Sequence, residues 1–240
     1  MTQIRNNAEC PVARPAPRQT IPSLHDVDDR LATAYPDAQC ALHHRNAFEL
    51  LVATVLSAQT TDARVNTVTP ELFSRWPDAA ALASAEVADV EAVIAPLGMA
   101  HTKSARLVRL GHDVLTQHGG SVPDDQVALE ALPGVGRKTA HVVRGNVFGA
   151  SLLTVDTHVG RLSRRLGWSS HDNPRQVEDD VVARPGASHI NFTMLSHRLI
   201  AHGRACCTAR APHCGACVLA DLCPRIGVVS TNRVAGRTTP

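Results

Sequence analysis

Five of the seven cysteines, Cys206, Cys207, Cys214, Cys217 and Cys223, fall within 18 residues of a 240-residue chain, while Cys10 and Cys40 stand alone. So many thiols in so short a stretch constrain the backbone to wrap a common centre. A disulfide framework is not needed, because a chain of this length supplies an ample buried core. The first twenty residues lack the apolar segment of a secretory signal, so reduced thiols are expected. Without Cys206, the spacing is Cys207-x6-Cys214-x2-Cys217-x5-Cys223. A four-thiolate zinc site usually joins two C-x2-C pairs across a longer spacer, and only one such pair exists here. Four closely spaced thiolates suit a compact [4Fe–4S] cluster better. Zinc stays as the alternative, and Cys206 is either a spare neighbour or an alternative ligand.

The remainder of the chain reads as helical. Phe48, Leu50, Leu51, Val52, Val55 and Leu56 predict a largely buried helix, and Val87, Val90, Val93 and Ile94 an amphipathic one. Pro and Gly punctuate these segments at Pro77, Pro96-Leu97-Gly98, Gly119-Gly120 and Pro133-Gly134. Leu152 to Val155 is the one β-like run, too short to build a sheet. The expected fold class is therefore all-α with short connections, flanked by disordered basic tails over 1–22 and 225–240. No apolar run approaches the roughly 18 residues a membrane span requires, so no membrane association is expected. With seven aromatic residues in all, a nucleic-acid surface made of rows of base-stacking rings is not expected.

Charge is unevenly placed. Between Gly134 and Trp168, Arg137, Lys138, Arg144, Arg161, Arg164 and Arg165 face a single acid, Asp156, a local +5 in a chain of net charge +2. A basic patch on a mildly acidic body points to a polyanionic partner at one place. Within it, Leu132-Pro-Gly-Val-Gly-Arg-Lys138 reads as a tight turn between two helices. Gly134 and Gly136 let the backbone approach a partner, and the free N–H groups of a helix beginning near Arg137 bind phosphate oxygens. Such a hairpin holds duplex DNA by its backbone without reading bases.

Two residues here carry chemistry. The chain has 22 Arg and only two Lys, Lys103 and Lys138, and an amine does what a guanidinium cannot. In the first turn of a helix, beside Arg137, a second positive charge is disfavoured, and a partly neutral amine forms a Schiff base with a sugar carbon. A phosphate-contacting cation is the other role this position allows. Asp156 precedes a second helix start at Thr157, where it is expected to act as an N-cap. A carboxylate held in that way also stabilises positive charge developing on a sugar.

Lys138 in its hairpin, Val155-Asp-Thr-His158 with Asp156 18 positions after the lysine, and the cysteine loop together resemble the endonuclease III family of DNA glycosylases over about residues 23 to 224. The resemblance implies a [4Fe–4S] enzyme that removes oxidised pyrimidines from duplex DNA and nicks the abasic site by β-elimination. It implies two α-domains with DNA between them, a six-helix barrel over 40–150 and a discontinuous cluster domain over 23–39 and 151–224. By the same resemblance Lys138 is the Schiff-base nucleophile, Asp156 the essential carboxylate, and Cys207, Cys214, Cys217 and Cys223 the cluster ligands. Gln59 fills the hole left by a flipped base, Met99 stands at the wedge position, and Gly134, Gly136, Arg137, Arg161 and Arg210 contact DNA. Asp62, Glu130 and His158 match pocket positions. The partner implied is double-stranded DNA carrying a damaged pyrimidine or an abasic site, bound by a monomer in the cytoplasm, at a bacterial nucleoid.

The chain departs from the family pattern at Met99, where leucine is frequent, at Ala100, where an aromatic is common, and at Ala211 and His213, positions often basic. Lower DNA affinity or a shifted lesion preference is expected. A thymine- or uracil-mismatch glycosylase shares these motifs and is the nearest alternative; the adenine-mismatch branch lacks the lysine. A non-catalytic iron–sulfur DNA binder sensing redox state is the alternative from another class, disfavoured by Lys138 and Asp156 together.

Overall fold

The computed structural model describes residues 20–228. Cys10 and most of both expected tails lie outside the described residues. Eleven α-helices build this part: α1 (Leu24–Ala34), α2 (Ala47–Leu56), α3 (Asp62–Arg75), α4 (Ala79–Ala83), α5 (Val87–Ile94), α6 (Ala100–His118), α7 (Gln126–Ala131), α8 (Arg137–Val147), α9 (Thr157–Arg165), α10 (Pro174–Val182) and α11 (Phe192–Ala205). The described residues contain no strand, as an all-α fold requires.

Capping chemistry sets most of the helix starts. Ser23, Asn46, Thr61, Asp78, Asp125, Asp156, Asn173 and Asn191 each accept a backbone N–H of the helix they precede, worth about 1 kcal/mol apiece. Helices α5, α6 and α8 begin at Glu86, Met99 and Gly136 without such a bond.

The buried side chains form two clusters. The first gathers residues from Leu42 to Val143 on α2 to α8. Helix α2 runs through it with every residue from Phe48 to Leu56 buried, as the unbroken apolar run demands. Its one acid, Glu49, is tolerated there because Arg45 donates to the carboxylate from Nε at 2.8 Å and from its own backbone N–H at 2.7 Å. The second cluster joins Leu24, Val27 and Leu31 of α1 to Val159, Leu162, Val177, Val181, Leu195 and Leu199. The described residues thus start in the second cluster, build the first, and return through residues 151–156.

That return segment contains the β-like run. It is extended but pairs with no strand: Leu152 N–H donates to Thr193 Oγ1 at 3.3 Å and Thr154 N–H to Ser196 Oγ at 2.9 Å. Hydroxyls of α11 take the bonds a neighbouring strand would have taken. At the C-terminal side, order continues past the boundary expected at residue 225. Arg225 N–H donates to Cys223 Sγ and Ile226 N–H to the Arg165 carbonyl at 3.1 Å, which ties this turn to α9.

Candidate active site and metal centre

A cleft with a cavity volume of about 140 Å³ opens between the two clusters, lined by Lys138 and Val142 of α8 on one side and Thr154, Asp156, Ser196 and His197 on the other. Asp62, Ser57 and Cys40 complete its wall. Lys138 is exposed and makes no hydrogen bond or ion pair with any described residue, so its amine is available to a ligand. Asp156 Oδ1 accepts the His158 and Val159 N–H groups, both at 2.8 Å. Its second oxygen has no partner among the described residues and is left for the cleft. Burial holds the His197 imidazole below its ordinary pKa, and its Nε2 lies 2.8 Å from Asn146 Oδ1.

Close contact between α8 and α11 keeps the two walls at this separation. A Cβ on Gly145 would lie 2.5 Å from Thr193 Oγ1, so only glycine permits it. At the head of α8, Gly134 adopts φ +80° after Pro133, the arrangement of a type II turn, and Arg106 packs against its open side. Gly136 has open space where a Cβ would stand, and α8 starts without a side-chain cap. Its first N–H groups are thereby available to an anion.

Among described non-glycine residues only Gln59, Met99 and Arg225 have positive φ, +57°, +51° and +56°. Such backbone costs of order 1 kcal/mol or more, so the surrounding structure must hold it in place. Gln59 is exposed and Met99 is 52% exposed.

Other expected site residues are placed differently. Of the six cations in the local basic patch, all five arginines have protein partners. Arg137 binds Glu178, Arg144 binds Asp124, and Arg164 binds Asp172. Arg161 donates to the carbonyls of Gly203 and Cys207 at 2.9 and 3.0 Å and to His158 Nδ1 at 3.1 Å. Arg165 donates to the carbonyls of Thr208 and Ala209. Counting charges along the sequence treats these groups as free, whereas the fold uses them to fasten loops. His158 therefore packs with Arg161 against α11, outside the cleft. Glu130 is an exposed charge on α7 that accepts from Gln126 Nε2 at 2.5 Å, also outside the cleft. Asp62 does reach the cleft, as the first residue of α3 after the Thr61 cap, and pairs with Arg204 across it at 2.8 Å. Lys103, the other lysine, is buried on α6, its amine unpartnered and held below its ordinary pKa by desolvation.

Cys207, Cys214, Cys217 and Cys223 line a second, small cavity, with Leu162, Leu166, Leu219 and Val228 around them. The described cysteines form no disulfide. Donors already point at the sulfurs: Arg165 Nη1 lies 3.1 Å from Cys207 Sγ, His202 Nε2 3.3 Å from Cys217 Sγ, and the N–H groups of Leu219 and Arg225 lie 3.4 Å from Cys217 and Cys223 Sγ. An apolar cavity with four sulfurs and N–H donors directed at them fits an iron–sulfur cluster, whose thiolates need such support. Cys206 also faces this cavity, and its sulfur, His202 and Cys217 present ligand atoms within 4.8 Å of one another.

His202 and Arg165 escape a reading of the cysteine spacing. His202 is 1% exposed, and the hydroxyl of Tyr35 lies 2.9 Å from its Nδ1. The available signals were helical: His202 precedes Cys206 by one turn, and Arg165 shares a face with Arg161. Arg210 lies in the Cys207–Cys214 loop, exposed and without a partner among the described residues. Ala211 follows it, its carbonyl accepting from Thr208 Oγ1 at 2.7 Å. Ala211→Lys is expected to tighten duplex binding and to steepen the log K against log[salt] slope by about 0.9. An unchanged slope in a binding titration at several salt concentrations would show that this loop does not meet DNA.

The hairpin with its uncapped helix start, the lysine–carboxylate cleft and the cysteine-lined cavity thus stand together on one all-helical fold. Residues 52–184 match the HhH-GPD superfamily of base excision DNA repair proteins, and 207–223 match the iron–sulfur binding domain of endonuclease III. The chain is 44% identical to endonuclease III of Synechocystis sp. over 81% of its own length and 88% of the relative's, and 40% identical to the Escherichia coli enzyme over 81% and 91%. It overlays the solved non-covalent endonuclease III–DNA complex with a TM-score of 0.77 at 39% identity, over 84% of this chain and 94% of that one. This chain belongs to the endonuclease III family, and so to the DNA glycosylase/AP lyases of base excision repair.

Proposed function

We propose that the chain excises oxidised pyrimidines from duplex DNA and cleaves the abasic site by β-elimination, through an imine formed on Lys138 with Asp156 opposite. The observation that carries this reading is that an unpartnered amine and a half-satisfied carboxylate, supplied by different clusters, line one cleft. Gly134, Gly136 and the uncapped start of α8 bind the DNA backbone, assisted by Arg210. Gln59 enters the space of the flipped base and Met99 wedges beside it, offsetting an unstacking cost of a few kcal/mol. The protein acts as a monomer, in the cytoplasm at the nucleoid, in keeping with its bacterial relatives. Two units, 40–150 and 23–39 with 151–224, follow the two buried clusters and grip the duplex between them.

In the reaction, the Lys138 amine attacks the sugar C1′, the glycosidic bond breaks, and the base leaves with a proton. Asp156 stabilises the positive charge that develops on the sugar. The nitrogen lone pair then breaks the C1′–O4′ bond, O4′ takes a proton, and the opened sugar is held as an imine. Loss of a C2′ proton from that imine expels the 3′ phosphate. Cys207, Cys214, Cys217 and Cys223 hold the [4Fe–4S] cluster, which when bound keeps the Arg210 loop in shape.

Two experiments test this reading. Single-turnover excision is compared on duplexes carrying thymine glycol, dihydrouracil or a T:G mismatch; preference for the mismatch would assign the chain to the mismatch glycosylases instead. Asp156→Asn separates capping from catalysis, because asparagine caps as well as aspartate. It is expected to change stability by under about 1 kcal/mol and to lower the excision rate on the order of 10²-fold. A variant that excises at the normal rate would confine Asp156 to its cap.

A further inference from the structure

The arginine before the proposed nucleophile does not face the cleft. Arg137 donates from Nε to Glu178 Oε2 at 3.0 Å and from Nη2 to Oε1 at 2.8 Å, a two-pronged pair. Glu178 sits on α10, in the second cluster's unit, with its side chain 12% exposed. One turn along α8, His141 is 4% exposed. It donates from Nδ1 to the Leu153 carbonyl at 3.2 Å, since a carbonyl only accepts, and its Nε2 lies 3.9 Å from Glu178 Oε1. Leu153 is three residues before Asp156 on the same extended segment. The first two turns of α8 are therefore pinned at two points to the second cluster's unit, one of them on the segment that carries the carboxylate.

We infer that Glu178 is a positioning residue: acting through Arg137, it fixes the head of α8 so that the Lys138 amine meets the sugar at the correct distance from Asp156. This rests on the reading of Lys138 as the imine-forming amine. A planar guanidinium held by both oxygens of a carboxylate fixes direction as well as distance, which an ammonium does not do. Covalent attack is steeply sensitive to such placement, and a displacement of about 1 Å costs on the order of 10²-fold. The same geometry takes Arg137 out of DNA binding, because its fork is already engaged.

The test uses a duplex with one abasic site for borohydride trapping under single turnover, and a duplex with a tetrahydrofuran site for affinity and salt slope. Glu178→Gln, Arg137→Lys and Arg137→Met are each expected to slow trapping roughly 10- to 100-fold. Affinity for the tetrahydrofuran duplex and its salt slope are expected to stay at wild-type values. The double variant Arg137→Met/Glu178→Gln should trap no more slowly than the slower single variant, since the residues act as one unit. Variants that melt earlier yet trap at the wild-type rate while folded would reduce the pair to a structural brace and overturn the inference. A salt slope lowered by about 0.9 in Arg137→Met alone would do the same, by making Arg137 a phosphate contact. If the wild-type protein itself traps no DNA, the reading of Lys138 fails and takes this one with it; trapping by the wild type with unaffected variants overturns only the positioning role.

Discussion

Lys138→Ala is expected to leave a folded protein that binds abasic duplex and forms no borohydride-stable adduct with it. The side chain is exposed and bonded to nothing among the described residues, so its loss opens no cavity and strands no partner. Alanine is also a good helix former in the first turn of α8. What is removed is the proposed nucleophile, and with it the covalent route; strand cleavage is expected to fall on the order of 10³-fold or more. Trapping on a thymine glycol duplex, beside a melting curve and a binding titration, checks all three parts. Persistent trapping would move the nucleophile elsewhere.

Cys217→Ser is expected to do the opposite, damaging the fold around the cleft instead of the chemistry within it. The Cys217 sulfur receives His202 Nε2 and the Leu219 N–H, and His202 reaches Tyr35 at the end of α1. Nearby, Arg30 of α1 donates to Asp221 Oδ2 at 2.8 Å and to the Val218 carbonyl at 3.1 Å. The cysteine loop thus fastens α1 to α11, and metal binding is coupled to the folding of such a loop. Loss of iron in this variant, or its removal by chelation, is expected to cost more than the 5–15 kcal/mol that typically holds a domain together. Amide exchange provides the check. Protection should vanish over 24–34 and 192–205 and persist over 47–56 and 103–114, in the first cluster. An iron-free variant with undiminished protection over α1 and α11 would show that the loop holds nothing together.

Features with local causes were readable from the residues alone. The apolar run of α2, the turn at Pro133-Gly134, the cap at Asp156 and the grouping of the cysteines each depend on neighbours within a few positions. Features decided by distant partners were not. Arg137 finds Glu178 41 residues away, and Arg161 finds Cys207 46 residues away. Charge counting along the sequence therefore predicts a bare basic patch where the fold presents one unpaired lysine among five engaged arginines. The positive φ values of Gln59 and Met99 were hidden for a related reason: neither residue type favours that conformation, so nothing in the residue itself announces it.

The extended segment beneath α11 has a bearing on solubility. Ser151-Leu-Leu-Thr-Val155 is short, uncharged and rich in β-favouring side chains, the composition that templates intermolecular strand pairing when its edge is bare. Thr193 and Ser196 occupy two of its N–H groups from within the same molecule. Two hydroxyls on one helix thereby take N–H groups that an incoming strand would otherwise bind. Replacing them by alanine in pursuit of a more helical α11 would expose this protein to aggregation before it cost the enzyme its chemistry.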